Sequence, residues 1–157
     1  MRMDDIQIRS FAGAFLRYKA EVLLMKRGLH KRLSPGLWAG IGGHIEPYDN
    51  NSPLTACVRE IEEETGILSA QIEQLNLRYF ALVNDYDFLS SIYYFSGVLK
   101  EKPFLRQTEE GELYWVKLEE GIEKPMAQHV KSFYLHWVNN LQDDSLHCLF
   151  IPPLTPL

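Results

Sequence analysis

The sequence predicts a single layered domain of the α/β or α+β class. Two observations predict it. Several runs rich in β-branched and aromatic residues, each bounded by turn formers, read as strands. Two longer segments carry apolar residues at helical spacing and read as helices flanking those strands. The 157 residues, 46% apolar and 24% charged, suit one domain with a real core, spanning 1–157.

Ile6 to Leu16 and "EVLLMKR" (21–27) read as two strands joined by a turn near Tyr18–Ala20. "GLHKRLSPG" (28–36) is a basic loop. "LWAGIGGHIE" (37–46) reads as a glycine-laced strand, where backbone must come close to something. Ser52 and Pro53 then form an N-cap and a first helical position. Leu54, Cys57, Val58 and Ile61 have the spacing of one buried helix face, and Gly66 suits a left-handed helix end. Strands follow over 72–85 and 88–100, around a tight "DYD" turn. A further strand, 112–118, is entered through "RQTEEG" (106–111). Met126, Val130, Phe133, Tyr134, Trp137 and Val138 predict a late helix over about 125–140. A short strand and a proline-rich tail (152–157) end the chain.

Net charge is −5, which argues against a nucleic-acid partner, since phosphate binding needs clustered Lys and Arg. No apolar run reaches membrane-span length, and "MRMDDIQIRS" has no signal-peptide core. Two cysteines make neither a disulfide framework nor a zinc site, so a cytoplasmic location is expected.

The stretch "REIEEETGI" (59–67) crowds four glutamates into five positions, where like charges cost a helix a few tenths of a kcal/mol per pair. Glu60, Glu63 and Glu64 stand at i, i+3 and i+4 on one face, and Glu62 points elsewhere. Alone, a glutamate-rich helix end is a solvated face. Three convergent carboxylates are also the hard oxygen ligands that Mg²⁺ or Mn²⁺ accepts. Arg59 is spaced to pair with Glu63, and Gly42 and Gly43 allow a backbone carbonyl close approach.

"GGHIEPYD…REIEEETGI" resembles the Nudix box, G-x5-E-x7-R-E-U-x-E-E-x-G-U with U apolar, over residues 43–67. Arg59, Glu60, Ile61, Glu63, Glu64, Gly66 and Ile67 match its second half. The first half departs: Asp49 stands for Glu, Tyr48 for a turn glycine, and Asn50–Asn51 read as a two-residue insertion. Loops tolerate such insertions at small entropic cost. "LLMKR", "GLWAGIGGHIEP" and "EEGELYWVKLEE" are similar to MutT-like members, so the resemblance covers roughly residues 7–140.

The resemblance implies an α/β/α sandwich with a mixed β-sheet between helices, and metal-assisted hydrolysis of a diphosphate linked to another moiety. By the same resemblance, Glu60, Glu63, Glu64 and the Gly43 carbonyl hold Mg²⁺ or Mn²⁺, and Arg59 belongs to the catalytic set. The general base is a box glutamate, Glu60 or Glu63, or a later-loop residue, Glu110, with Glu109 and Glu112 as substitutes. Arg27, Lys31 and Arg32 are candidate phosphate contacts, and Trp38 and Phe80 candidate stacking partners for a base. Gln128 and His129 are candidate readers of the leaving group. Ala39 stands where some purine-triphosphate members place an Asn, which weakens an oxidised-guanine assignment. The favoured substrate is a nucleoside triphosphate, released as monophosphate and pyrophosphate, as in nucleotide-pool sanitation. The rivals are a nucleotide-sugar or dinucleotide pyrophosphatase and a non-catalytic Nudix-fold regulatory domain. A homodimer is common in the family.

Overall fold

The chain's longest strands alternate faces, and both faces are apolar. On β1 (Gln7–Tyr18), Ala12, Ala14 and Leu16 point to one side and Phe15 to the other; on β2 (Glu21–Arg27), Leu23 and Met25 oppose Val22 and Leu24. A sheet buried on both faces must be covered on both. The computed structural model, which describes residues 7–85 and 88–152, supplies that cover with one helix on each side.

The sheet is mixed, in the order β3 (Trp38–Ala39), β2, β1, β6 (Phe88–Leu99), β5 (Ile72–Asp85) and β8 (His147–Ile151), with β4 (Ile41–His44) added on β1 and β7 (Gly111–Lys117) on β2. The β1–β2 hairpin pairs over Leu16–Tyr18 and Glu21–Leu23 and then splays. β3 takes up β2, and β4 takes up β1. The segment expected as one strand over 37–46 is thus two, because the chain changes partner at Gly40. A Cβ there would strike the Ala14 carbonyl and the Tyr94 hydroxyl, and the Gly40 N–H donates to that hydroxyl at 2.9 Å.

β6 runs parallel to β1 and antiparallel to β5. β7 is antiparallel to β2, and β8 lies parallel to β5 at the sheet edge. Tyr86 and Asp87 of the expected turn and the tail beyond Pro152 fall outside the described residues.

α1 (Pro53–Thr65) begins at Ser52, whose hydroxyl accepts the Thr55 N–H, and ends at Gly66 in the left-handed conformation. Its buried stripe differs from the expected one. Cys57 and Ile61 are buried as expected, but Leu54 is 47% exposed and Val58 only half-buried, and Ala56 and Glu64 complete the buried face. Cys57, Ile61 and Glu64 stand at i, i+4 and i+7, so the stripe that meets the sheet carries a carboxylate at its end.

A short helix not foreseen, α2 (Leu118–Gly121), follows β7. α3 is Gln128–Asn139, not the expected 125–140. Residues ahead of it stay extended because the Pro125 carbonyl accepts the Trp38 N–H at 2.8 Å, docking that segment on β3. Val130, Phe133, Tyr134 and Trp137 of α3 pack on Phe15, Tyr79 and Tyr94. The fold is an α/β/α sandwich. Among the described residues no helix is long and apolar enough to cross a membrane.

Candidate active site

Where β1 and β2 splay, β4 brings Gly42 and Gly43 against the C-terminal half of α1. An open cleft of about 1270 Å³ lies there. It gathers Glu60, Glu63 and Glu64 with Gly43, Arg59 and Glu110, and on its basic side Arg27, Lys31 and Arg32. Trp38 also lines it.

The three glutamates differ in environment. Glu63 has a side chain 58% exposed, Glu60 is largely covered, and Glu64 is 6% exposed. Burial pushes the Glu64 carboxyl up to about 8, and the neighbouring charges of Glu60 and Glu110 add to the rise. Burial also raises Glu60, opposed by hydrogen bonding to Arg59 and reinforced by Glu63 and Glu110. Glu64, with no ion-pair partner, is the carboxylate short of positive charge.

Arg59 is the hub of their support. Its Nε and Nη2 nitrogens grip Asp49 bidentately, both at 2.9 Å. Nη1 donates to Glu60 at 2.9 Å and Glu63 at 3.1 Å, and Nη2 also reaches the His44 carbonyl at 3.0 Å. Asp49 is buried, and the Arg59 guanidinium beside it holds its carboxyl below the usual range. The shorter Asp therefore reaches Arg59. The insertion is absorbed by Asn50 and Asn51, both left-handed at φ 53° and 56°, between a 3-10 turn over Pro47–Asp49 and the helix.

Two observations fit a divalent cation here. Glu64 Oε2 is buried with no hydrogen-bond partner, an expensive state for a carboxylate lacking a counter-charge. A Cβ on Gly43 would sit 2.5 Å from Glu60 Oε1, so only glycine leaves room for that carboxylate against β4. Hard oxygen donors of this number suit Mg²⁺ or Mn²⁺.

Glu110 enters the cleft from the loop before β7. Its carbonyl accepts the Gly28 N–H at 3.0 Å, and its carboxylate pairs with Lys31 at 2.7 Å. The acidic loop and the basic loop are thereby tied together. Arg27 donates to the Leu33 carbonyl at 2.9 Å, which shapes the basic loop. Trp38 is flanked by Lys124, 4.6 Å over its ring, and by Tyr114, 5.1 Å away.

Other expected residues stand elsewhere. Phe80 is not in the cleft; it meets Tyr93 at 5.0 Å on the α1 side of the sheet. A bulge between Leu77 and Tyr79 flips the alternation of β5, turning Tyr79 toward α3 and Phe80 away from the cleft. Glu112 is occupied by the Tyr114 hydroxyl, and neither Glu109 nor Gln128 lines the cleft. His129 does, and burial pushes its imidazole down to about 4. Arg9, Val83, Phe88 and Ser90 also line the far end; their strands come together only through the sheet's pairing, so no local signal marks them.

A helix-borne carboxylate set, an arginine hub and a basic rim on an α/β/α sandwich fit one class of protein, the hydrolases of phosphate anhydrides. The chain belongs to the Nudix family: the NUDIX domain model matches residues 8–137. Solved structures with the same fold include the MutT protein from Bacillus halodurans, at 24% identity, TM-score 0.67, covering 91% of this chain and 90% of that one. A MutT protein from Methanosarcina mazei Go1 aligns at 22% identity and TM-score 0.72, over 88% and 99% of the two chains. An Ap4A hydrolase from C. elegans aligns at 20% identity and TM-score 0.71, over 85% and 97%. No curated protein matches the chain by sequence.

Proposed function

We propose that this Nudix enzyme hydrolyses the diphosphate linkage of a nucleoside triphosphate, releasing the monophosphate and pyrophosphate. The observation that carries the reading is the buried, unpartnered Glu64 oxygen beside Glu60 and Gly43, facing a rim of Arg27, Lys31 and Arg32. Glu60, Glu63, Glu64 and the Gly43 carbonyl would hold Mg²⁺ or Mn²⁺, which when bound supplies neutralisation of phosphate charge and acidification of water.

The chain's own groups do the rest. Asp49 locks Arg59, and Arg59 locks Glu60 and Glu63, so the ligand set is oriented before substrate arrives. The basic rim binds the phosphate oxygens and aligns the linkage. Glu110 takes the proton of the attacking water, since it lies in the cleft outside the Arg59 network that engages Glu60 and Glu63. The base lies against Trp38 and the far wall around Phe88 and His129. In this reading the enzyme works in the cytoplasm on small nucleotides.

A second reading, a dinucleotide or nucleotide-sugar pyrophosphatase, is favoured by the cleft's size, about 1270 Å³ against roughly 300–1,000 Å³ for usual ligand sites. The solved relatives also include the NUDIX domain of Shewanella oneidensis NrtR in complex with ADP ribose, at 20% identity and TM-score 0.66 over 87% of this chain and 89% of that one. A Mg²⁺- or Mn²⁺-supplemented screen of nucleotides and diphosphate conjugates, with products identified, separates the readings. Pyrophosphate from triphosphates supports the first, and a sugar phosphate the second. No phosphate or pyrophosphate from any member would overturn both and leave a binding domain.

A further inference from the structure

At the opposite end of α3 from the cleft, three side chains converge from three elements. His136 comes from α3, Asp143 from the following loop and His147 from β8, with their ligand atoms within 4.8 Å of one another. At about 1.5 Å of rise per residue, His136 lies about 10 Å along α3 from the cleft residue His129. We propose that these residues form a second, zinc-class metal site that fastens the edge strand β8 to α3.

The donor atoms are already sorted. Asp143 Oδ1 is taken by the Ser145 N–H at 2.9 Å and its hydroxyl at 2.5 Å, which leaves Oδ2 turned toward His147. Asp143 Oδ2 and His147 Nε2 stand 3.1 Å apart. Two ligands on a tetrahedral zinc, with bonds of about 2.0–2.1 Å, stand about 3.3 Å apart. The pair opens by a few tenths of an ångström to admit the ion.

His136 is oriented from behind. Its Nδ1 lies 2.8 Å from the hydroxyl of Tyr79, a buried ring stacked on Phe133. With Nδ1–H donated to that oxygen, Nε2 keeps its lone pair, the arrangement that fixes metal-binding histidines. The loop between the ligands is shaped in advance, because Asn140 bonds the His136 carbonyl through Nδ2 and receives the Asp143 N–H on its own carbonyl.

Two imidazoles and one carboxylate select zinc-class ions over Mg²⁺, which prefers oxygen alone, and leave a fourth position for water. Cys148 alternates to the other face of β8 and takes no part. A Ser–His–Asp nucleophile is excluded, because Ser145 Oγ and Asp143 Oδ2 both approach Nε2 of His147, at 3.2 and 3.1 Å, and not opposite ring nitrogens.

The test is a Zn²⁺ titration of chelator-stripped protein by calorimetry, in excess Mg²⁺ to fill the glutamate cleft. One equivalent should bind, vanish in His147→Ala and weaken at least about tenfold in Asp143→Asn. Tm should rise by about 5–10 °C at a hundredfold excess over Kd, and not in His147→Ala. Should His147→Ala fail to fold, His147→Gln with Asp143→Asn gives the same comparison. Zn²⁺ binding unchanged by these substitutions, or lost only in Glu63→Gln, would overturn the site. So would a Tm difference between wild type and variant that is equal in Zn²⁺ and in chelator, since that is what a metal-free hydrogen-bonded cluster gives.

Discussion

Gly43→Ala tests whether the site is built around the Glu60 carboxylate. The added Cβ would lie 2.5 Å from Oε1, 2.6 Å from Cδ and 2.8 Å from Oε2 of Glu60. Comfortable contact begins near 3.5 Å, so the carboxylate must retreat by about 1 Å. Displacement of that size at a reacting centre costs about a hundredfold in rate, or about 2.7 kcal/mol of transition-state stabilisation. The fold should survive, because the obstructing atoms are the movable end of a side chain. Gly42→Ala is the contrast: its Cβ would meet the Ala12 carbonyl and the Gly13 Cα, which are fixed sheet backbone. The assay is kcat/KM on the best substrate of the screen, with Mn²⁺ affinity by paramagnetic resonance and melting by circular dichroism. Gly43→Ala should lose activity and Mn²⁺ affinity with Tm nearly unchanged, and Gly42→Ala should melt early. Full activity in Gly43→Ala, or equal melting losses in both, would refute the reasoning.

Glu63→Gln neutralises an exposed carboxylate proposed as a metal ligand, so activity should fall by orders of magnitude while the melting curve stays put; retained activity speaks against a metal role. Glu110→Gln should lower kcat by about 10²–10⁴-fold with Mn²⁺ affinity within about twofold, and a variant that loses Mn²⁺ instead makes Glu110 a ligand. Arg59→Lys cannot hold Asp49 bidentately and Glu60 at once, so kcat should drop at least about tenfold and Tm by several degrees. Glu64 has its folded pKa raised from 4.5 to about 8, so the metal-free folded state holds a proton that the unfolded chain releases. Stability of the metal-free protein should therefore fall as pH rises from about 4.5 to about 8, by on the order of a few kcal/mol, and Mg²⁺ should restore it. Glu64→Gln should flatten that pH dependence and abolish the Mg²⁺ effect; an unchanged slope would show that Glu64 does not carry it.

Helix geometry is local, so the spacing of Glu60, Glu63 and Glu64 placed them together before any tertiary contact was known. The same is true of Ser52 and Gly66, whose capping depends on neighbours a few residues away. The sequence likewise marked the strands, since period-two alternation is written in the chain. What it left open depended on which surface met which. An apolar stripe drawn through Leu54 passed over Glu64, and only the sheet beneath α1 made that carboxylate buried and unpartnered. Asp49 joined Arg59 because two left-handed asparagines took up the insertion, a conformational choice that residue spacing does not reveal. Phe80 left the expected site because one bulge reversed the faces of its strand. Arg9, Phe88 and His129 reached the cleft, and His136 met His147, through pairings between segments far apart in the chain. Short-range geometry is dictated by adjacent residues, whereas burial and charge depend on partners that only the assembled sheet selects.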